Sequence, residues 1–98
     1  MKIIIKQAAG FRVEIKGHAG YAEAGKDIVC AGVSALFYAF LNYATKRKNL
    51  IDFQIKDGDS FVEAEIPEDV ALLLMIGFQS FEDNYPEYVQ TERIKEET

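Results

Sequence analysis

A chain of 98 residues, 49% of them apolar and 12% aromatic, suffices for one domain with a buried core but not for two, which argues against both a disordered and a multidomain protein. Sixteen acidic against eleven basic side chains leave a formal charge of −5, which disfavours direct contact with nucleic acid and favours a basic peptide or protein as partner. The single cysteine excludes an internal disulfide, and the start of the chain lacks the longer apolar core of a signal peptide, so a reducing cytoplasm is the expected compartment.

In chain order, Ile3 and Ile5 alternate with Lys2 and Lys6, and Phe11, Val13 and Ile15 alternate with Arg12, Glu14 and Lys16. That period predicts two half-buried strands around a turn near Ala9-Gly10. From Gly17 to Lys26 the chain holds three of its seven glycines and no sustained period, and this stretch reads as a mobile loop. Asp27 stands before a helix-compatible run reaching about Lys48, so the first helix is expected to start there under an Asp cap. Val29, Val33, Leu36, Phe37, Phe40 and Ala44 recur at three- and four-residue intervals and predict a stripe that covers a sheet.

Ile51, Phe53 and Ile55 alternate with polar neighbours, Asp57-Gly58 marks a tight turn, and Val62, Ala64 and Ile66 resume the same period, which predicts a second hairpin. Pro67 fits the first position of a second helix, and Glu68 and Asp69 suit its positive end; the pattern continues to about Asp83, before Asn84-Tyr85-Pro86 stops it. Residues 70–78 read as the most apolar stretch, far short of the ~20 residues that cross a bilayer, so no membrane span is expected. Tyr88 to Thr91 predict a last short strand, and Glu92 onward a charged tail. The order ββαββαβ predicts a single domain over residues 1–98 of the α+β class, with a mostly antiparallel sheet of about five strands and both helices packed on one face.

The only histidine and the only cysteine flank the glycine-bearing stretch, His18 where the second strand ends and Cys30 in the first turn of the first helix. Partial positive charge on first-turn amides favours a thiolate, and an imidazole can take a thiol proton and return one to a leaving amine. Ser34 lies one turn after Cys30 on the same helix face, within reach of the sulfur, the imidazole or a substrate. These residues leave a plainer alternative open, with Cys30 a small core residue, His18 a surface histidine, Asp27 a simple cap and Ser34 a satisfied helix hydroxyl. One His and one Cys cannot supply the three or four N and S ligands of a zinc site, and GxxxxGK[ST] and GxGxxG do not occur, so no metal or cofactor is expected.

The run Gly17-His18-Ala19-Gly20-Tyr21-Ala22, followed by Gly25-Lys26-Asp27-Ile28-Val29-Cys30-Ala31 and Ser34-Ala35-Leu36, resembles the signature of the ribosomal-processing cysteine protease family Prp. Gly77-Phe78-Gln79-Ser80 with Tyr85-Pro86-Glu87-Tyr88-Val89 resembles that family's second signature. The resemblance implies a cytoplasmic thiol protease, independent of cofactors, that removes an N-terminal extension from the large-subunit ribosomal protein L-twenty-seven, a basic precursor. It implies Cys30 as nucleophile, His18 as base, Asp27 and Ser34 in support, and Gly17, Gly20, Tyr21 and Gly25 in a loop that orders over substrate. It further implies a homodimer, for which Met75 and Phe78 are the expected contact residues. Gly32 departs from the pattern, because a helix former such as alanine is more usual there and a mid-helix glycine costs roughly 1 kcal/mol. A phage-borne homologue trimming a viral protein and a non-catalytic dimeric binding module are the alternatives, and a thioesterase or acyl transferase would use the same pair of residues.

Overall fold

The computed structural model describes residues 1–23 and 27–95. Strands β1 (Lys2–Gln7) and β2 (Phe11–Lys16) pair antiparallel, with Ile3 opposite Ile15 and Ile5 opposite Val13. The two-residue alternation therefore sends Ile3, Ile5, Phe11 and Val13 into the core, and Lys2, Lys6, Arg12, Glu14 and Lys16 to the other face. Helix α1 (Ile28–Arg47) follows, then β3 (Leu50–Gln54), β4 (Asp59–Ala64), α2 (Glu68–Asn84) and β5 (Gln90–Lys95). The strands lie in the order β3-β4-β2-β1-β5, antiparallel except for the parallel pair β1 and β5. This is the predicted ββαββαβ layout, with Val29, Val33, Phe37, Phe40 and Ala44 of α1 and Ala71, Leu74 and Phe78 of α2 buried in one core with the sheet.

Four expectations change. The last strand begins at Gln90 and continues through Lys95, so residues 92–95 are not a tail; they hydrogen-bond along β1, with Glu92 beside Ile4 and Lys95 beside Gln7. Pro67 caps α2 from outside in an extended conformation and is not its first helical residue. By length and composition α1, not residues 70–78, is the segment apolar enough to reach across a bilayer, and five of its apolar residues are buried within this domain. Phe78 is fully buried and so is no contact surface; the exposed apolar residues of α2 are Leu72, Leu73 and Ile76.

The two helices interlock through glycines. A Cβ on Gly32 of α1 would stand 2.7 Å from the Phe81 ring of α2, and a Cβ on Gly77 of α2 would stand 2.7 Å from Leu36 of α1. Each helix thus opens a notch one turn from its own large side chain, and the pairs 32–81 and 36–77 run antiparallel. Gly32, out of place on helix propensity alone, is where Phe81 sits.

The sheet face away from the helices is a lattice of charges. Glu14 is 6% exposed at its centre, bonded to Lys6 and Arg12 at 2.9 Å, while Arg12 reaches Glu63 at 3.2 Å and stacks 3.7 Å above the Phe61 ring. Burial opposes ionisation of Glu14, but the hydrogen bonds from Lys6 and Arg12 outweigh it and hold the carboxyl below its usual range.

Candidate thiol site

The site forms where three elements end together: the last residues of β2, the first turn of α1 and the turn between β3 and β4. Register explains the meeting. Lys16, last in β2, pairs with Asp59, first in β4, so the turn that precedes β4 lies beside the residues that follow β2. The Gly17 N–H donates to Gly58 O at 2.9 Å, with both glycines at positive φ (76° and 73°), a conformation that a Cβ would strain.

His18 and Cys30 face one open hollow, two adjoining depressions of about 290 and 580 Å³ that share His18, Cys30, Ser34 and Asp57. Ile15, Phe37, Tyr38 and Ile55 add apolar wall to the smaller one. Cys30 is half-buried, and its Sγ accepts the Ala19 N–H at 3.3 Å. The imidazole is 62% exposed, and its Nε2 stands 3.3 Å from Asp57 Oδ1. The two residues singled out from the sequence thus line one cavity, and the group nearest the ring nitrogen is Asp57, which the sequence marks only as a turn residue. The β2–β4 register was the signal that could have found it.

Asp27 does more than cap. Its Oδ1 accepts the Cys30 N–H at 2.9 Å and its Oδ2 accepts the Tyr21 N–H at 3.1 Å, tying the segment after β2 to the start of α1. The Cys30 amide above all, with help from the Cys30 thiol and the Tyr21 and Ala22 amides, keeps this carboxyl below the usual range against the opposing effect of desolvation. Two first-turn amides are thus committed: Cys30 N–H to the Asp27 carboxylate and Ala31 N–H to Asp27 O at 3.0 Å. The direct amide donor to the sulfur comes from Ala19 instead.

The expected mobile loop, in its described part, residues 17–23, is held at Gly17, Ala19 and Tyr21. Ala19 is buried in the core, Gly20 turns at φ 67°, and the Tyr21 ring packs edge-on against Tyr85 and Tyr88 at 5.5 and 5.2 Å. Gly25, assigned to the same loop, lies outside the described residues. Ser34 lines both depressions one turn beyond Cys30. Among the described residues, no group of three or more His, Cys, Asp or Glu is placed to hold a metal ion.

A two-layer α+β fold that presents one thiol and one imidazole to a shared hollow carries the groups that a small thiol enzyme uses. Residues 1–90 match the family model described as cysteine protease Prp, and the chain belongs to that family: it is a cysteine peptidase. The fold is similar to that of the essential ribosomal processing protease Prp of S. aureus carrying a covalently linked product peptide, with a TM-score of 0.79 and 22% identity over 94% of this chain and 97% of that one. The same S. aureus protease with a substrate peptide gives 0.71 and 21% over the same shares. SMU.848 of Streptococcus mutans gives 0.72 and 28%, covering 97% of this chain and 94% of that one. No curated protein matches the sequence. The resemblance carried by residues 17–36 and 77–89 is thereby borne out, as are the fold and the enzyme class.

Proposed function

We propose that this peptidase cuts an N-terminal extension from a large-subunit ribosomal protein, L-twenty-seven, with Cys30 as nucleophile and His18 as general base, in the cytoplasm. The observation that carries the reading is the placement of the chain's only thiol and only imidazole on one open hollow, in a member of a cysteine protease family. Similarity to a ribosomal processing protease that holds peptides supports the substrate class, and the net charge of −5 suits a basic precursor.

In this reading His18 takes the Cys30 proton and the sulfur attacks the scissile carbonyl. The imidazolium then protonates the departing amine, and His18 finally activates water to release the acyl group from sulfur. The Ala19 N–H, already aimed at Sγ, stabilises the thiolate that attacks. Asp27 holds Tyr21 and Cys30 in one unit, and Ser34 offers a hydroxyl to the substrate. The enzyme works as a homodimer, and the surface that joins the protomers is the exposed Leu72, Leu73 and Ile76 of α2.

Incubation of the pure protein with the extended ribosomal precursor, read by mass spectrometry, tests the reading. A single cut near the N-terminus, abolished by Cys30→Ala and by His18→Ala with the circular dichroism spectrum intact, is the expected result. Cleavage retained by either variant overturns the assignment. An intact precursor, with Cys30 alkylated by iodoacetamide no faster than an unactivated thiol, points to a binding module.

A further inference from the structure

We infer that Asp57, in the β3–β4 turn, is a positioning residue that fixes the imidazole of His18 through Nε2 and so leaves Nδ1 as the nitrogen that takes the Cys30 proton. The inference rests on the reading of His18 as general base and deepens it.

The geometry begins with the turn. Asp57 sits in a short connection that is held from several sides: Asp59 N–H donates to Lys56 O at 3.0 Å, Lys56 N–H to Ser60 Oγ at 3.0 Å, Ser60 Oγ to Lys56 O at 2.8 Å, and Gln54 Nε2 to Asp59 O at 2.9 Å. The turn is also stitched to the backbone beside the histidine by the Gly17 N–H bond to Gly58 O. On the other side, the Met1 amino group donates to His18 O at 3.1 Å. Both backbones are therefore fixed, and the Asp57 carboxylate is presented to the ring from a set position.

The ring lies beside the turn on one side and is open to solvent on the other. A Cβ on Gly58 would lie 3.5 Å from Nε2 and 4.0 Å from Cδ2, so the imidazole stands over the side of that glycine where a side chain would begin. Its Nε2 then meets Asp57 Oδ1 at 3.3 Å. The neighbouring carboxylate, Asp59 at the start of β4, is engaged by Lys16, and Asp57 is the one beside His18. A carboxylate oxygen this close to Nε2 favours the proton on that nitrogen, and in the neutral ring the lone pair then belongs to Nδ1. That is the tautomer a base needs if its free nitrogen is to face the thiol across the hollow.

The pair is exposed, at 62% and 93%, so it contributes little to stability, and its value lies in orientation. This gives the test its discrimination. His18 is the chain's only histidine, so its ring resonances are unambiguous in NMR. The wild-type protein should show an NOE between the imidazole and Gly58 Hα; Asp57→Ala should lose it and Asp57→Asn, which keeps an acceptor oxygen, should retain it, all three melting at the same temperature. On the ribosomal precursor, Asp57→Ala should lower kcat roughly 10- to 100-fold with KM within about twofold, and Asp57→Asn should recover most of the loss. The inference is overturned if the alanine variant keeps the NOE or the wild-type kcat, or if asparagine is as poor as alanine. A precursor left uncut by the wild-type protein would defeat the protease reading alone, because the NOE comparison needs no substrate.

Discussion

Replacing Gly32 with alanine sets two effects of similar size against each other. In an unhindered helix the change stabilises by about 1 kcal/mol, because glycine has more backbone freedom to lose on folding. Here the new methyl would meet Phe81 Cε1 at 2.7 Å and Cζ at 3.0 Å, and the ring would have to retreat by about 0.7 Å to reach an ordinary contact of 3.4 Å. Phe81 packs against the core between two helices, and overpacking of that kind costs typically 1–3 kcal/mol. The expected balance is a net loss of about 1 kcal/mol. In a Phe81→Leu background the obstruction is removed, and the same Gly32→Ala change should then stabilise by up to about 1 kcal/mol, giving a coupling of about 2 kcal/mol between the two positions. Urea unfolding followed by circular dichroism on the four proteins measures each term. Stabilisation of the wild-type background by Gly32→Ala, or additivity within about 0.5 kcal/mol, would refute the interlocking account.

Two further predictions concern pH and assembly. Asp27, Glu14 and Glu82 are all held below their usual range, Glu82 first by the Thr91 N–H. A carboxyl with a lowered native value contributes stability that is complete above its unfolded value, about 4, and is lost as pH falls through the native one. The melting temperature should therefore be flat from pH 7 to about 5 and drop below about 4; a flat or rising profile down to pH 2.5 would contradict it. Leu73, 67% exposed, sits within the apolar surface of α2, and Leu73→Lys should raise the dimer dissociation constant at least about tenfold in sedimentation analysis, whereas a wild-type monomer at all concentrations would sink the proposed interface.

Most of the architecture was legible because its strands and helices carry strong periods. The alternation around Ile3, Ile5, Val13 and Val62 set the inward face of the sheet, and Asp27 marked the start of α1 correctly. β5 looks short in the sequence because its apolar content is thin and its partner, β1, is about ninety residues away, so nothing local signals the pairing. Ile51, Phe53 and Ile55 alternate as core residues would, yet all three are about half exposed: β3 is a sheet edge with an irregularity between Leu50 and Asp52, and Ile55 lies just past its end. In the site, His18 and Cys30 could be named because each occurs once. Asp57 could not be distinguished from any other turn aspartate until the register of β2 against β4 placed it beside the ring. Gly32 looked like a flaw for the same reason: a notch has meaning only once the facing side chain is known.

The parallel pairing of Lys2 with Gln90 and Gln7 with Lys95 also shapes how the molecule is made. During synthesis β1 emerges long before β5 and stays an unpaired edge on that side until β5 has followed it, and closing so long a loop makes this a slow, late contact. The nascent hairpin β1–β2 is then the segment most open to wrong strand partners, and its lysines at positions 2, 6 and 16 are the charges that discourage them.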